Sequence, residues 1–436
     1  MRLCNILKKG PIMTAFSKSR RDFLEMAAGT VSAAALGAAA TPVLASAEPT
    51  GTVMSVLGPM PAKDLGFTLM HEHIYSDFTG YFYETQKDFD KIDKVKYFAA
   101  DPEAPVEMKH LGYMNMGGYA FMRDAWSLRD RKVMLDELNY YKQVGGQSIL
   151  EVSPWGKNQG PEYHLILKDL SEETGINLIC STGLYGGDNT FWYDEAMTMT
   201  TEELTKTFLG HVNDGFGASG VKAGHLKTAP NYWDENEQRA AQAIINAQKE
   251  CGLMYTIHHG SKFDQAKAEE VHRDLAKMGS TPDRTVFAHM QSFVTNDNLR
   301  NQVTNPDGRF VVDLDFFKGI LDQGYTLSFD TFGTWVGFEI FEFLLDGDVP
   351  NAFEGNGGQS DVEVMAMVYF LCQQGYSDQI VLSQDCYAKN HLRTFGGVGY
   401  TRISNYVVPL FRNVGVKEDD IANMMVNTPA RLLSRI

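Results

Sequence analysis

Two histidines one residue apart, His71 and His73, close the run Thr68-Leu69-Met70-His71-Glu72-His73. On a strand, alternate side chains share a face, so both imidazoles point one way and Glu72 points the other. Paired imidazoles at a strand end suit a divalent metal. The spacing differs from the helical His-Glu-x-x-His pattern, where residues four apart share a face. Alone the pair is a weak signal, because two satisfied loop histidines would look the same. Further ligands decide the matter. His258, His289 and Asp385 close three later strand-like runs, and Lys227 ends another within Gly224-His225-Leu226-Lys227. Imidazole nitrogens and a carboxylate oxygen suit zinc, with manganese, cobalt or iron as substitutes.

The elements that must position these residues are legible as eight β-rich runs. They are Thr68 to His73, Ser148 to Val152, Asn177 to Ser181, Val221 to Lys227, Met254 to His258, Thr285 to His289, Thr326 to Asp330 and Ile380 to Asp385. Amphipathic stretches such as Glu235 to Cys251 and Gln265 to Met278 separate most of them. Eight strands alternating with helices predict an α/β fold, the TIM (β/α)8 barrel. An open doubly wound sheet is the alternative, but no glycine-rich dinucleotide loop follows an early strand. Barrel enzymes draw one site from many C-terminal strand ends, and the candidate ligands fall there.

Two connections are oversized, giving the barrel extended loops after its first and seventh strands. Segment 74–147 is aromatic-rich around Tyr81, Phe82, Tyr83 and Tyr113, and segment 331–379 carries Gly347, Gly355, Gly357 and Gly358. Their position predicts a substrate pocket and its lid.

Composition bounds the partners. Ser19-Arg20-Arg21-Asp22-Phe23-Leu24, the alanine-rich stretch Met26 to Leu44 and the small residues Ala45-Ser46-Ala47 resemble a Tat export signal. That leader would cover residues 1–47 and leave 48–436 as a single barrel domain, periplasmic or secreted. It holds six of the 39 Lys/Arg and two of the 55 Asp/Glu, so the remainder carries a net charge near −20. Such acidity argues against nucleic acid or an anionic membrane as partner. Beyond the leader the four cysteines Cys180, Cys251, Cys372 and Cys386 form no close pair of zinc-finger or redox spacing.

Several motifs together carry a resemblance. They are Val56-Leu57-Gly58-Pro59, Leu69-Met70-His71-Glu72-His73, Glu151-Val152-Ser153, Ser181-Thr182-Gly183-Leu184-Tyr185 and Lys222-Ala223-Gly224-His225-Leu226-Lys227. Ile257-His258, Ala288-His289, Ser383-Gln384-Asp385 and Asn427-Thr428-Pro429-Ala430-Arg431-Leu432-Leu433 complete the set. The chain resembles the phosphotriesterase-like branch of the amidohydrolase superfamily over nearly all its length past the leader.

The resemblance implies two metal ions. One would be held by His71, His73 and Asp385 and the other by His258 and His289. Lys227, as N6-carboxylysine, would bridge them together with a hydroxide. It also implies Asp385 as the proton acceptor, and a homodimer. Tyr185 matches a tyrosine that lines the site in related lactonases. His225 and His259 read as structural, Glu72 as a brace, and Asp330 as a residue behind the ligands.

Departures bear on substrate. In phosphotriesterases proper, a histidine follows the seventh-strand aspartate and an acidic residue follows the sixth-strand histidine, forming a proton relay. Here Asp330 precedes Thr331-Phe332-Gly333, and His289 precedes Met290-Gln291-Ser292. The expectation is therefore a hydrolase of a small-molecule lactone or carboxylic ester. An organophosphate triesterase is the alternative, and a non-catalytic ligand-binding barrel is the rival of another class.

Overall fold

Alternation of apolar and small polar residues along short β-branched runs makes each predicted segment a strand with one face toward helices and one toward a common interior. The computed structural model describes residues 50–82, 101–115, 118–188, 190–260, 263–294, 314–333 and 360–435. The predicted leader and the glycines proposed as a lid lie outside these residues. Among the described residues, no helix is long and apolar enough to cross a membrane.

An antiparallel hairpin, β1 (Thr52–Ser55) and β2 (Gly58–Pro61), precedes the barrel. The barrel strands are β3 (Thr68–Glu72), β4 (Ser148–Glu151), β5 (Asn177–Ile179), β6 (Ser181–Tyr185) and β7 (His225–Ala229). They continue as β8 (Tyr255–Ile257), β9 (Thr285–Phe287), β10 (Thr326–Phe329) and β11 (Ile380–Leu382). All pair in parallel, in the orders β3-β4-β5 and β6-β7-β8-β9-β10-β11. The predicted strand Asn177 to Ser181 is observed as β5 and the first residue of β6, interrupted at Cys180, and β6 extends it to Tyr185. The ring closes between β11 and β3: the Asp385 amide donates to the His71 carbonyl at 3.1 Å, and the His71 amide donates to Ser383 Oγ at 2.9 Å. The fold is the expected barrel.

Strand β7, the fourth of the predicted eight, departs from its expected bounds. Expected at Val221 to Lys227, it runs from His225 to Ala229, which puts Lys227 at mid-strand and not at the strand end. Val221 and Ala223 are held instead by the preceding helix end, through Phe216 N–H to Val221 O (2.8 Å) and Ala223 N–H to His211 O (3.0 Å). Pairing with β6 begins only at Ser181 and His225 and places Gly183 opposite Lys227. A Cβ at Gly183, whose φ is +135°, would collide with the Lys227 carbonyl. Glycine is required for the two strands to approach there.

Apolar side chains fill the barrel below the polar centre. Met70, Leu150, Ile179, Met254, Val286 and Val381 form one buried cluster, plugged by Val53 from β1 and by Leu432 and Leu433 near the C-terminus. A register shift between Leu69 and Glu72 breaks strict alternation in β3. Met70 thus joins the interior layer while His71 still lies against Lys227 and Asp385. Segment 74–147 builds a second cluster in its described part, where Phe78, Phe82, Phe121 and Trp126 pack with Phe191 and Ala388.

Candidate metal centre

The structure brings all six predicted ligands to one place. His71 lies on β3, Lys227 within β7, and His73, His258, His289 and Asp385 just beyond the ends of β3, β8, β9 and β11. His73 Nε2 is 3.2 Å and His71 Nε2 3.6 Å from Asp385 Oδ1, and Lys227 Nζ is 3.3 Å from His71 Nε2. His289 Nε2 and His258 Nδ1 stand 2.6 Å apart. The His71 and His289 rings lie 4.8 Å apart between centroids, joining the two groups. Five of the six are buried, and His258 is partly exposed.

Backbone conformation matters at two of these residues. His289 and Asp385 take left-handed φ values of 59° and 52°, which cost an L-residue about 1–2 kcal/mol each. Such strain persists where the surroundings over-determine a geometry. Both side chains reach the ligand group, their ligand atoms lying within 4.8 Å of each other and of His71.

Burial sets the electrostatics. It pushes the His71 imidazole down to about 4, aided by the neighbouring Lys227 ammonium. It also drives His258 well below the usual histidine range, with His289 adding to the effect. Burial lowers Lys227 to about 8, against the opposing pull of Asp330 and Asp385. Asp385 shows the reverse balance. Burial would raise it, but the His71, His73 and His289 imidazoles hold it down at about 2. His71 and His258 are thus held neutral and Asp385 ionised, the protonation states that metal binding requires.

Hydrogen bonding behind the ligands points the same way. Asp330 accepts from His289 Nδ1 at 2.8 Å and from the His289 amide at 3.1 Å, and its other oxygen lies 2.9 Å from His71 Nδ1. One carboxylate thus stands behind two imidazoles: it holds the His289 proton on Nδ1, leaving that Nε2 lone pair toward the centre, and it lies beside His71 Nδ1. His73 Nδ1 meets Ser153 Oγ at 2.6 Å. Asp385 Oδ1 is buried and accepts no hydrogen bond, although two Nε2 atoms flank it. Lone pairs converging on an anionic oxygen with no donor between them repel one another unless a cation intervenes. The donor set therefore fits divalent metal, and His71, His289 and Asp385 offer ligand atoms all within 4.8 Å of one another.

The remaining predicted residues fall outside the ligand set. His225 is satisfied on both sides by Ser181 Oγ (2.7 Å) and Thr256 Oγ1 (2.9 Å). His259 bonds the Ala288 carbonyl (3.0 Å) and His272 Nε2 (2.8 Å). Glu72 braces β3 against β11 by accepting from Ser383 Oγ and from the Gln384 and Cys386 amides at 2.7–2.9 Å. Burial lifts its carboxyl to about 8. Tyr185, the last residue of β6, lies 5.5 Å from the His258 ring and packs with Phe78, Tyr81 and Phe191. Phe78 in turn stands edge-on to His73 at 4.7 Å, so an aromatic wall links the two ligand groups. Trp192 is not part of it; fully buried, it donates to the Tyr185 and Gly186 carbonyls. The sequence reading did not single out Ser153 as a side chain with a role.

Comparison with known proteins bears on this site. Residues 51–433 match the family described as the Phosphotriesterase family. The chain is 25% identical to an N-acetyltaurine hydrolase of Danio rerio, covering 88% of this chain and 98% of that protein. With the N-acetyltaurine hydrolase of Xenopus tropicalis the identity is 27%, at the same coverage. A resiniferatoxin-binding protein from Rhodobacter sphaeroides has a similar fold, with TM-score 0.69, 22% identity and coverage of 88% and 95%. A lactonase from Listeria monocytogenes gives TM-score 0.62 and 20% identity over 88% and 99%. At those identities the two structures speak for the fold.

Proposed function

Because the chain belongs to the phosphotriesterase family, we propose that its hydrolase activity depends on two divalent ions, zinc by ligand type. His71, His73 and Asp385 would hold one and His258 and His289 the other, with Lys227 between them as N6-carboxylysine. The observation that carries this reading is the buried Asp385 Oδ1, flanked by imidazole Nε2 atoms and accepting no hydrogen bond. When bound, such ions lower the pKa of water to about 7 and polarise a substrate oxygen.

The chain's own residues supply the rest. Lys227, pushed down to about 8 by burial, is neutral in about a tenth of molecules at pH 7. Its Nζ lone pair can form an N–C bond to carbon dioxide, with loss of one proton, to give the carbamate. Asp385, ionised throughout the neutral range, can take the proton released by the attacking water and pass it to the leaving group. Phe78, Tyr81, Tyr185 and Phe191 present an apolar wall beside both ligand groups, suited to an uncharged substituent.

The substrate we propose is an acyl compound, first a lactone or carboxylic ester. The missing relay residues disfavour an organophosphate triester. The names of the curated relatives favour a second reading, an N-acyl amide. A panel on metal-loaded protein decides between them: γ- and δ-lactones, aryl esters, N-acetyl amino sulfonates and an aryl dialkyl phosphate. Turnover of the phosphate alone would reject the acyl assignment, and fewer than two ions per loaded chain would reject the two-metal centre. We further propose Tat export with cleavage after Ala47, which N-terminal sequencing of periplasmic protein would test.

A further inference from the structure

We propose that Glu151 and Ser153 form a positioning arm for His73, fixing the proton on Nδ1 so that Nε2 faces the centre. The proposal rests on the metal-centre reading above. Ser153 Oγ donates to Glu151 Oε1 at 2.6 Å, which leaves its lone pairs free to accept from His73 Nδ1 at 2.6 Å and from Ser76 Oγ at 2.5 Å. Direct contact is absent, because Glu151 Oε1 is 3.9 Å from His73 Nδ1. The carboxylate therefore acts through the hydroxyl. Glu151, Ser153 and Ser76 are all completely buried, so water does not compete for these positions.

The arm is itself held. Glu151 Oε1 also accepts from the Ile74 amide (3.2 Å), and Oε2 accepts from the Ser153 amide (3.1 Å). These bonds clamp the start of the loop after β3 onto the end of β4. A purely structural reading would stop there. It does not account for the two 2.6 Å bonds that run from Glu151 Oε1 through Ser153 Oγ to the imidazole. His71 and His289 share Asp330 behind them, whereas His73 has a serine with a carboxylate behind it. Such outer partners commonly tune metal affinity by 10–100-fold.

The test compares metal retention in full-length wild type, Ser153→Ala, Ser153→Thr and Glu151→Gln. Each protein is loaded with Co(II) and titrated with a chelator, while ion content and the visible absorption of the bound metal are read. Ser153→Ala is expected to release one of its two ions at about 10–100-fold lower chelator, with a changed spectrum and an unchanged apo melting temperature. Ser153→Thr restores the hydroxyl and should restore retention. Glu151→Gln should show a smaller loss, and it carries the same reading if Ser153→Ala fails to fold. Wild-type retention and spectrum in Ser153→Ala would overturn the arm. A wild type that binds no ion would instead overturn the metal-centre reading beneath it.

Discussion

The two rims of the barrel solve the same backbone problem with different residues. Where helices return to the N-terminal rim, glycines take the left-handed conformation: Gly175, Gly252 and Gly279 end the helices Tyr163–Thr174, Glu235–Cys251 and Gln265–Met278. Glycine has no Cβ to clash, so these turns are relaxed. At the C-terminal rim, beside Gly186 and Gly333, residues with side chains also take that conformation. Tyr75, Trp233, His289 and Asp385 are the non-glycine residues with positive φ among those described, and each follows a strand end. Two of the four are candidate ligands. Strain is accepted where a side chain is needed at a fixed spot and avoided where only a chain reversal is needed. Activity should therefore depend on one rim and stability chiefly on the other.

The sharpest way to break this division is Asp385→Asn. It keeps the shape of the side chain while removing the charge and the proton acceptor. Turnover should fall by about 10²–10⁴-fold, as for loss of a general base, with the melting temperature of the apo protein little changed. A variant that loses stability and keeps its rate would place Asp385 in the scaffold. The opposite rim offers Arg284, whose guanidinium donates to the carbonyls of Gly252, Arg431, Leu432 and Ser434. Arg284→Ala removes the donor from the buried Leu432 and Ser434 carbonyls and should cost about 3 kcal/mol in denaturant unfolding. Its kcat and KM at a temperature where it stays folded should match wild type. A selective fall in kcat would show that the rims are coupled.

The legible features of this site were those written in residue type. Histidine and aspartate are conspicuous at strand ends, and β-rich runs between amphipathic stretches located the strands themselves. Strand limits were less certain, as β7 shows, because Val221 to Ala223 carry a strand's composition but are captured by a helix end. Asp330 was read as a neighbour of the ligands, but not as one carboxylate serving two imidazoles. That role depends on the ends of β3, β9 and β10 converging. Ser153 stands in the motif Glu151-Val152-Ser153, but its role is illegible in sequence for the same reason. Serine is common, and its partner His73 lies 80 residues away in sequence. The aromatic wall was legible as composition only, since Phe78 and Tyr81 meet Tyr185 and Phe191 through folding of the long first insertion.

A buried histidine outside the ligand set sharpens the comparison by pH. His164 stacks on Phe216 at 3.8 Å, and burial, with His211 nearby, pushes it down to about 3. Below its ordinary value of 6.5 the unfolded chain takes up a proton that the folded chain refuses. Stability is therefore lost as pH falls from 6.5 toward 3. His164→Phe should remove that loss, making the variant relatively more stable by about 2 kcal/mol at pH 5 than at pH 7.5. Equal pH dependence of unfolding in the two proteins would mean that His164 is not held neutral.

Gly252→Ala tests the smallest effect, and it tests the relaxed rim directly. A Cβ at Gly252 meets no atom within 4 Å, so the substitution introduces conformational strain and no collision. The expected loss is about 1 kcal/mol, near the lower end of the cost of a left-handed L-residue. His289 and Asp385 already bear that cost in the native fold. Urea unfolding should show the loss as a lower midpoint at unchanged slope, with kcat and metal content unaffected. If Gly252→Ala proved neutral, left-handed backbone would be cheap in this barrel, and the φ values of His289 and Asp385 would no longer mark strain held for function.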